Sequence, residues 1–367
     1  MLEIALKVLN KFSSFGYKAY IIGGYPRDLY LKRSSVDIDI CTDATPKEII
    51  NIFSEIVTTN SEYGSVIISY EKVRFEITTF RTEGKYKDYR KPSSIKYIDN
   101  LEEDLKRRDF TINTLCIDKD GKEIDLLNAK SDLDNKIIRM IGNPKERLKE
   151  DILRILRAIR FATVLNFELE PVLKAYIKKY GPLLKKLSKE RQKEELDLIF
   201  SSSNKEYGIK LLCDLRLAEH LDLPSLKRIK PTPSMICIWA QLDALNKFNF
   251  SSSDKETILN VLKLKDKNLL DKKILYEYGL YYCTLACELN ETDKKKLNEL
   301  YASMQIHGKF DIAITPSQIS ELLNKNPGSF LKDIMNDLEE KLLEDQLENK
   351  KENLESYIIN NYKETYL

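Results

Sequence analysis

The chain has 367 residues, with 60 lysines and arginines against 58 aspartates and glutamates and only two histidines. Hydrophobic residues make up 42% and charged residues 32% of the chain, which excludes wholesale disorder, and the length allows several domains. The two histidines, His220 and His307, lie far apart, which argues against a histidine-based metal cage or proton shuttle. The net charge of +2 does not by itself indicate a nucleic-acid partner.

Neither a membrane segment nor a disulfide framework is indicated. No stretch approaches the ~18 consecutive apolar residues of a membrane span, and the first residues are typical of an amphipathic helix rather than a signal peptide. The six cysteines lie in apolar segments without a CxxC pair, which favours reduced, buried thiols. We therefore predict a soluble, cytoplasmic protein with no membrane association.

The first 140 residues contain the strand signals, with helical patterns between them. Strands are predicted at residues 19–22, 36–40, 66–70 and 74–79, and helices at residues 4–15 and 46–56. From about Pro144 onward the pattern is almost wholly helical, and residues 189–200 form a clear amphipathic run. Pattern alone therefore predicts a mixed α/β head followed by an α-helical remainder.

Net charge differs strongly between segments of the chain. It is 0 for residues 1–140, +5 for 141–200, +3 for 201–310 and −6 for 311–367. The near-neutral total therefore conceals a basic middle, which suits a polyanionic partner, and an acidic C-terminal part.

Two glycines followed by two aspartates form the sharpest local motif. Gly23-Gly24 precedes Arg27, and Asp37 and Asp39 follow in an Asp-x-Asp pattern. On a strand, residues i and i+2 face the same side, so the two carboxylates are expected to project together. Adjacent carboxylates repel each other, and Mg²⁺ bound jointly with substrate phosphates relieves that repulsion. The glycines allow the backbone to approach a triphosphate, and a helix beginning near Arg27 would offer its amides.

Two further clusters combine charged side chains in a way that suits nucleotide binding. In residues 102–113, Arg108 and Asp109 lie beside an aromatic residue and Asn113, although a solvated basic turn is the ordinary interpretation of such a run. In residues 150–160, Asp151, Arg154 and Arg157 follow at three-residue steps, which predicts one helix stripe. Such a stripe either forms ion pairs within the helix or presents donors and acceptors to the edge of a base.

These three clusters, in this order and spacing, resemble motifs A, B and D of the class II tRNA nucleotidyltransferases (CCA-adding enzymes), a branch of the DNA polymerase beta-like nucleotidyltransferase superfamily. Residues 81–92 resemble the flexible-loop motif C, and Glu190-Arg191 with Glu194-Glu195 is similar to motif E. The resemblance implies an α+β fold with a nucleotidyltransferase head at residues 1–140, a helical neck at 141–203, a helical body at 204–310 and a helical tail at 311–367.

The resemblance also implies roles for the residues that match its motifs. Asp37 and Asp39 would be the catalytic residues and hold two Mg²⁺ ions. The nucleotide would be bound by residues of all three clusters: Gly24, Arg27, Arg108, Asp109, Asp151, Arg154, Arg157 and Arg160. Among these, Asp151 and Arg154 would select the base. Asp88 and Arg90 of the flexible loop would help to switch specificity from C to A.

The expected activity is addition of CCA to the 3′ end of tRNA from CTP and ATP, with pyrophosphate release and no protein partner. The main alternative is an A-adding enzyme that works beside a separate CC-adding enzyme; the loop at residues 81–92 looks complete, which disfavours a CC-adding form. A poly(A) polymerase is less favoured, because residues 62–67 read EYGSVI where those enzymes tend to carry a histidine-containing element. A catalytically dead RNA-binding scaffold is disfavoured because every motif residue is present.

Overall fold

The structure, a computed structural model, describes residues 1–35, 37–53, 55–60, 64–84, 86–87 and 91–363. The chain divides into two compact units, Met1–Lys227 and Arg228–Leu367. The predicted α+β class is confirmed, since all strands of the described residues belong to the first unit and the second unit is helical. The finer division at residues 141, 204 and 311 stays a prediction.

The strands of the described residues lie between Ala19 and Leu169 of the first unit. In chain order they are β1 (Ala19–Ile22), β2 (Ile38–Thr42), β3 (Ile56–Asn60), β4 (Ser65–Tyr70), β5 (Val73–Thr79), β6 (Arg81–Glu83), β7 (Tyr86–Lys87), β8 (Lys91–Pro92), β9 (Ile95–Tyr97), β10 (Cys116–Ile117), β11 (Glu123–Ile124), β12 (Ile137–Ile138) and β13 (Glu168–Leu169).

Seven strands form one mixed sheet in the order β11-β10-β1-β2-β5-β4-β3. Neighbouring strands are antiparallel except for β2 and β5, which are parallel. β2 is paired on both sides, so that its Asp39 lies opposite Ile22 of β1 and Glu76 of β5. The register therefore brings the end of β1 and the carboxylate of Glu76 beside Asp39.

Helices surround the sheet and continue beyond it. The helices of the first unit are α1 (Leu2–Ser14), α2 (Gly24–Tyr30), α3 (Pro46–Ile52), α4 (Leu101–Lys106), α5 (Ala129–Asp134), α6 (Pro144–Glu150), α7 (Leu153–Leu165), α8 (Pro171–Tyr180), α9 (Lys189–Phe200), α10 (Lys205–Asp214) and α11 (Leu217–His220). The predicted helix at residues 189–200 is confirmed as α9, which packs against α7.

The two faces of the sheet bury separate apolar clusters. Ile38 and Ile40 of β2 belong to the core that α1 covers with residues such as Phe12. Cys41 belongs to the smaller cluster on the other face. Because successive strand residues point to opposite faces, Asp39 shares its face with Cys41. The isoleucines anchor β2 in the larger core and thereby fix the direction of Asp39.

Two predicted boundaries are wrong. The helix expected over residues 46–56 ends at Ile52, and Ile56 begins β3. Phe53 already has extended backbone angles, and the β-branched residues that follow favour a strand, which pairs with β4. The strand expected over residues 36–40 begins at Ile38, so that Asp37 lies immediately before β2. Residue 36 lies outside the described residues.

The second unit is helical, with α12 (Met235–Ala240), α13 (Ser252–Leu264), α14 (Lys272–Asn290), α15 (Lys294–Ser303), α16 (Pro316–Leu322), α17 (Phe330–Leu343) and α18 (Lys351–Tyr362). Ser251 caps α13 by accepting a hydrogen bond from the amide of Asp254. The six cysteines of the chain are free, and all but Cys213 are buried. Among the described residues, no helix combines the length and apolarity needed to cross a membrane.

Candidate active site

A glycine turn brings the backbone directly against Asp39. β1 ends opposite Asp39, and Gly23 follows with a φ of 83°, which residues with a Cβ atom rarely adopt. A Cβ atom at Gly23 would lie 2.9 Å from Oδ2 of Asp39. α2 begins at Gly24, with Gly23 as its N-cap, so the expected helix start near Arg27 is wrong by one turn. The turn requires glycine because Asp39 occupies the space of a side chain.

Three carboxylates lie near one another where the central strands β2 and β5 run in parallel. Burial and the neighbouring carboxylate of Glu76 raise the pKa of Asp39 to about 6, with Asp37 adding to the rise and Arg108 opposing it. Asp37 is exposed at the start of the strand, whereas Asp39 is half-buried. We call Asp37, Asp39 and Glu76 the carboxylate edge. Its negative charge is incompletely balanced by the protein itself.

Arg108 is held by a fully buried aspartate one helical turn earlier. Both Nε and Nη2 of Arg108 donate to Oδ2 of Asp104, at 3.2 and 3.0 Å. Arg107 donates to the other oxygen, Oδ1, from Nε at 2.8 Å. Burial by itself raises the pKa of Asp104, but the two guanidinium charges outweigh it and hold the pKa below its usual value. Arg107 and Arg108 are therefore held by a buried carboxylate and are not part of a solvated turn.

Asp109 joins the head to helix α7. Its Oδ2 accepts hydrogen bonds from Nε of Arg157 at 2.7 Å, and its Oδ1 accepts from the amide of Phe110 at 2.8 Å. Burial alone would raise the pKa of Asp109, but the charge and hydrogen bonds of Arg157 lower it to about 2. Asp109 is therefore ionised, and Arg157 has a fixed anionic partner.

Arg27 is oriented by two partners within the same site. Its Nη1 donates to Oδ1 of Asn113 at 2.7 Å, while Nε and Nη2 donate to the two carboxylate oxygens of Asp28 at 2.9 Å each. Nδ2 of Asn113 in turn donates to Oδ1 of Asp109 at 3.3 Å. A continuous polar chain thus runs from Arg27 through Asn113 and Asp109 to Arg157.

The predicted helix stripe of the third cluster is only partly correct. Asp151 has extended backbone angles, φ −137° and ψ 106°, and lies in the turn between α6 and α7. Its Oδ1 accepts a hydrogen bond from the amide of Leu153 at 3.0 Å, which is a capping contact that stops α6 and starts α7. Arg154, Arg157 and Arg160 do lie at helical spacing on α7. The expectation that Asp151 shares their helix is wrong.

The pKa of Asp151 is raised overall, because burial outweighs the opposing positive charges of Arg154, Arg157 and Arg191. Arg154 itself is buried and donates from Nη1 to the carbonyl oxygen of Arg147 at 2.7 Å and to Glu150 at 3.1 Å. Asp151 and Arg154 thus each have a backbone contact of their own, and Arg154 is in addition paired with Glu150.

Arg160 is bound by the neighbouring helix α9. Its Nε donates to Oε2 of Glu195 on α9 at 2.6 Å. Glu195 lies in the segment that resembles motif E, and its side chain is buried to all but 8%. We call Arg27, Arg154, Arg157 and Arg160 the arginine wall.

Glu76 lines a smaller pocket with Asp39 and Arg108. Asp37 and Asp39 of the carboxylate edge, together with the arginine wall, line one cavity of about 820 Å³. Every predicted site residue that the structure describes lies on it: Gly24, Arg27, Asp37, Asp39, Arg108, Asp109, Asp151, Arg154, Arg157 and Arg160. Asp88 and Arg90 lie outside the described residues. The functional roles of all these residues stay predictions.

Several residues at this site are not among the predicted site residues, although Arg191 belongs to the segment that resembles motif E. Glu76 was missed because strand register, which places it beside Asp39, cannot be read from a single strand. Asp104 was detectable, since it precedes Arg107 and Arg108 by three and four residues, a spacing typical of helical ion pairs. Phe161 and Arg191 also line the cavity, and Phe161 carries no local signal.

Comparison with known proteins gives a consistent assignment. Residues 19–139 match a family model described as the poly A polymerase head domain, and residues 240–358 match tRNA nucleotidyltransferase domain 2. The CCA-adding enzyme of Bacillus subtilis is 33% identical over 96% of this chain and 97% of its own length. That of Streptococcus agalactiae is 34% identical over 95% of this chain and 94% of its own length.

Solved structures agree with these relatives. The Bacillus stearothermophilus CCA-adding enzyme in complex with CTP has a TM-score of 0.86 at 26% identity, covering 99% of this chain and 98% of that one. The Thermotoga maritima CCA-adding enzyme complexed with tRNA shares the fold, with a TM-score of 0.69 at 18% identity, covering 97% and 94%. The fold is thus that of a nucleotidyltransferase. The chain belongs to the CCA-adding enzyme family.

Nucleotidyltransferases of this fold normally use divalent metal ions, and the carboxylate edge fits one. Carboxylate oxygens are hard ligands, and burial together with the nearby Glu76 raises the pKa of Asp39, so that a cation would stabilise its ionised form. Among the described residues, no group of three acidic, histidine or cysteine side chains is close enough to hold a metal alone. An ion bound here therefore needs further oxygen ligands, which substrate phosphates can supply.

Proposed function

We propose that this chain adds C, C and A in turn to the 3′ end of tRNA, with CTP and ATP as substrates and pyrophosphate as the released product. The observation that carries the proposal is one cavity lined both by Asp37 and Asp39 of the carboxylate edge and by the arginine wall. Membership of the CCA-adding enzyme family supports it, as do structures of that family described with CTP, ATP and tRNA. We also propose that the chain works in the cytoplasm on these substrates.

Asp37 and Asp39 are the residues proposed to hold two Mg²⁺ ions, with Glu76 close enough in register to strengthen the site. When bound, the metal ions lower the barrier to in-line phosphoryl transfer by activating the attacking hydroxyl and neutralising the leaving pyrophosphate. The contribution of the protein is the fixed position of Asp39, which the paired central strand and the Gly23 turn both restrict.

The phosphates and ribose are proposed to bind where the head and α7 meet. Gly24, Arg27 and Arg108 present a backbone without a side chain and two guanidinium groups. Arg157 and Arg160 continue the cationic surface. Asp109 is already bonded to Arg157, so that it can keep this arginine in place while facing the ribose.

Asp151 and Arg154 are proposed to select the base, because they combine an acceptor and a donor group on one side of the cavity. Their backbone contacts, to Leu153 and Arg147 respectively, fix both groups before a nucleotide arrives. Asp88 and Arg90 are proposed to assist the change from C to A.

The proposal is tested with three tRNA substrates, which lack all of CCA, end after the first C, or end after the second C. With Mg²⁺, CTP and ATP, the purified chain is expected to extend them by three, two and one nucleotides. Extension of only the third substrate would show an A-adding enzyme. Repeated addition of A to any RNA would show a poly(A) polymerase, and binding of tRNA without extension would show a dead scaffold.

A further inference from the structure

Three guanidinium groups of the cavity surround one aromatic ring. The guanidinium carbons of Arg27 and Arg157 each lie 5.5 Å from the ring centroid of Phe161, and that of Arg160 lies at 4.2 Å. All three distances fall within the ~6 Å range of cation–π attraction. Phe161 is only 7% exposed and lines the same cavity.

The three guanidinium charges repel each other, and each is paired with a different carboxylate. Arg27 is bonded to Asp28, Arg157 to Asp109 and Arg160 to Glu195. Asp109 is also joined to Arg27 through Asn113, but Arg160 and Glu195 lie outside that polar chain. The ring of Phe161 is the element that all three contact, and its electron-rich faces attract each of them.

The ring is itself fixed in place. Phe161 lies on α7, directly after Arg160, and packs edge-to-face against Phe110 with 5.6 Å between centroids and an interplanar angle of 75°. Phe110 is fully buried and follows Asp109, the partner of Arg157. The support of the ring and the support of the arginines therefore belong to the same packed element.

We infer that Phe161 is a positioning residue that holds Arg27, Arg157 and Arg160 at a fixed mutual spacing, so that the cavity presents a preformed cationic seat for a triphosphate. The inference rests on the proposed function, which makes these arginines nucleotide-binding. Because the seat serves the phosphates, which CTP and ATP share, its loss weakens both nucleotides equally. Arg154 does not belong to this seat, so base choice is unaffected.

The test compares Phe161→Leu, which keeps an apolar side chain but removes the ring, with Phe161→Tyr, which keeps the ring. Phe161→Leu is expected to raise the KM and Kd for CTP and for ATP by about 10-fold each, with kcat changed by less than about threefold. Phe161→Tyr is expected to stay within about twofold of the wild type. Phe167→Leu, at a buried phenylalanine outside the described cavity lining, is the matched control and leaves both KM values unchanged.

Equal KM and Kd values for Phe161→Leu and the wild type would overturn the inference, as would a Phe161→Tyr variant as weak as Phe161→Leu at unchanged melting temperature. Direct calorimetric binding of CTP separates this outcome from failure of the proposed function. If the wild type binds CTP but extends no tRNA, the proposed function fails, while weaker CTP binding by Phe161→Leu still supports the seat. A wild type that binds neither nucleotide overturns both.

Discussion

The two sides of the cavity differ in how fully the charges of their side chains are paired within the protein. On the arginine wall, Arg27, Arg157 and Arg160 each have a carboxylate partner within 2.9 Å. On the carboxylate edge, Asp39 has negative neighbours, and its pKa is raised to about 6. Asp109, at the arginine wall, has its pKa lowered to about 2. The charges of one side are thus paired within the protein, whereas the ionised form of Asp39 on the other side would be stabilised further by a cation.

The largest expected effect comes from removing one charge at the carboxylate edge. Asp39→Asn keeps the shape of the side chain but loses its charge, so it is expected to lower the rate of tRNA extension by about 1000-fold or more. The rate is measured by single-turnover extension of a tRNA that lacks CCA. Asp120→Asn, at an exposed turn of the same unit, is the control and is expected to keep full activity. Residual activity above a tenth of wild type would contradict the proposed role of Asp39.

The pH dependence of stability should report the same contrast. The folded pKa of Asp39 is raised from 3.8 to about 6, so its contribution to stability is fully present below pH 3.8 and is lost as the pH rises through 6. Without metal, this group is expected to lower the free energy of unfolding by up to about 3 kcal/mol between pH 4 and pH 7. Urea denaturation in EDTA measures it, and Asp39→Asn should remove this component. An unchanged pH profile in the variant would assign the dependence elsewhere.

At the arginine wall, the pH dependence of stability expected from Asp109 has the opposite sign. The folded pKa of Asp109 is lowered to about 2, so its contribution is present above pH 3.8 and is lost as the pH falls through 2. Asp109→Asn is therefore expected to lower the free energy of unfolding at pH 7 by about 2 kcal/mol. Asp222→Asn, which breaks the half-exposed pair with Lys189, should cost less than about 1 kcal/mol. Equal losses in both variants would remove the distinction between a buried and a surface pair.

The smallest expected effect concerns base choice. Asp151→Ala and Arg154→Ala are each expected to reduce discrimination between CTP and ATP by about 10-fold, because each removes one hydrogen-bonding group from the proposed base-selecting pair. The measurement is the ratio of kcat/KM values for the two nucleotides on tRNAs ending before each position. Because the Asp151 side chain also accepts a hydrogen bond from the Leu153 amide at the start of α7, the melting temperature of Asp151→Ala must be recorded as well. Unchanged ratios in both variants would remove base selection from this turn.

The sequence predicts those parts of the site that depend on local patterns. Gly23, Gly24 and the Asp-x-Asp motif follow one another along the chain, and the strand at residues 19–22 was assigned to its observed bounds. The errors occur where backbone geometry breaks a regular spacing. Asp151 keeps the three-residue step of a helix although its extended backbone ends α6, and no spacing rule distinguishes these cases.

Partners from distant segments could not be predicted for a different reason. Glu76, Glu195 and Phe161 acquire their roles through strand register or helix packing, which depend on the whole fold. The common feature of these residues is that they support other residues of the site. A single sequence therefore identifies the groups that carry charge more readily than the groups that hold them in position.

The most direct test of the contrast between the two sides is the effect of Mg²⁺ on melting temperature at pH 7 in the wild type, Asp39→Asn and Asp109→Asn. The wild type is expected to be stabilised by Mg²⁺, and more so with CTP present, because ions and phosphates complete the carboxylate edge. Asp109→Asn should start from a lower melting temperature but gain as much from Mg²⁺ alone, whereas Asp39→Asn should gain nothing. Equal stabilisation of Asp39→Asn and the wild type would contradict the account.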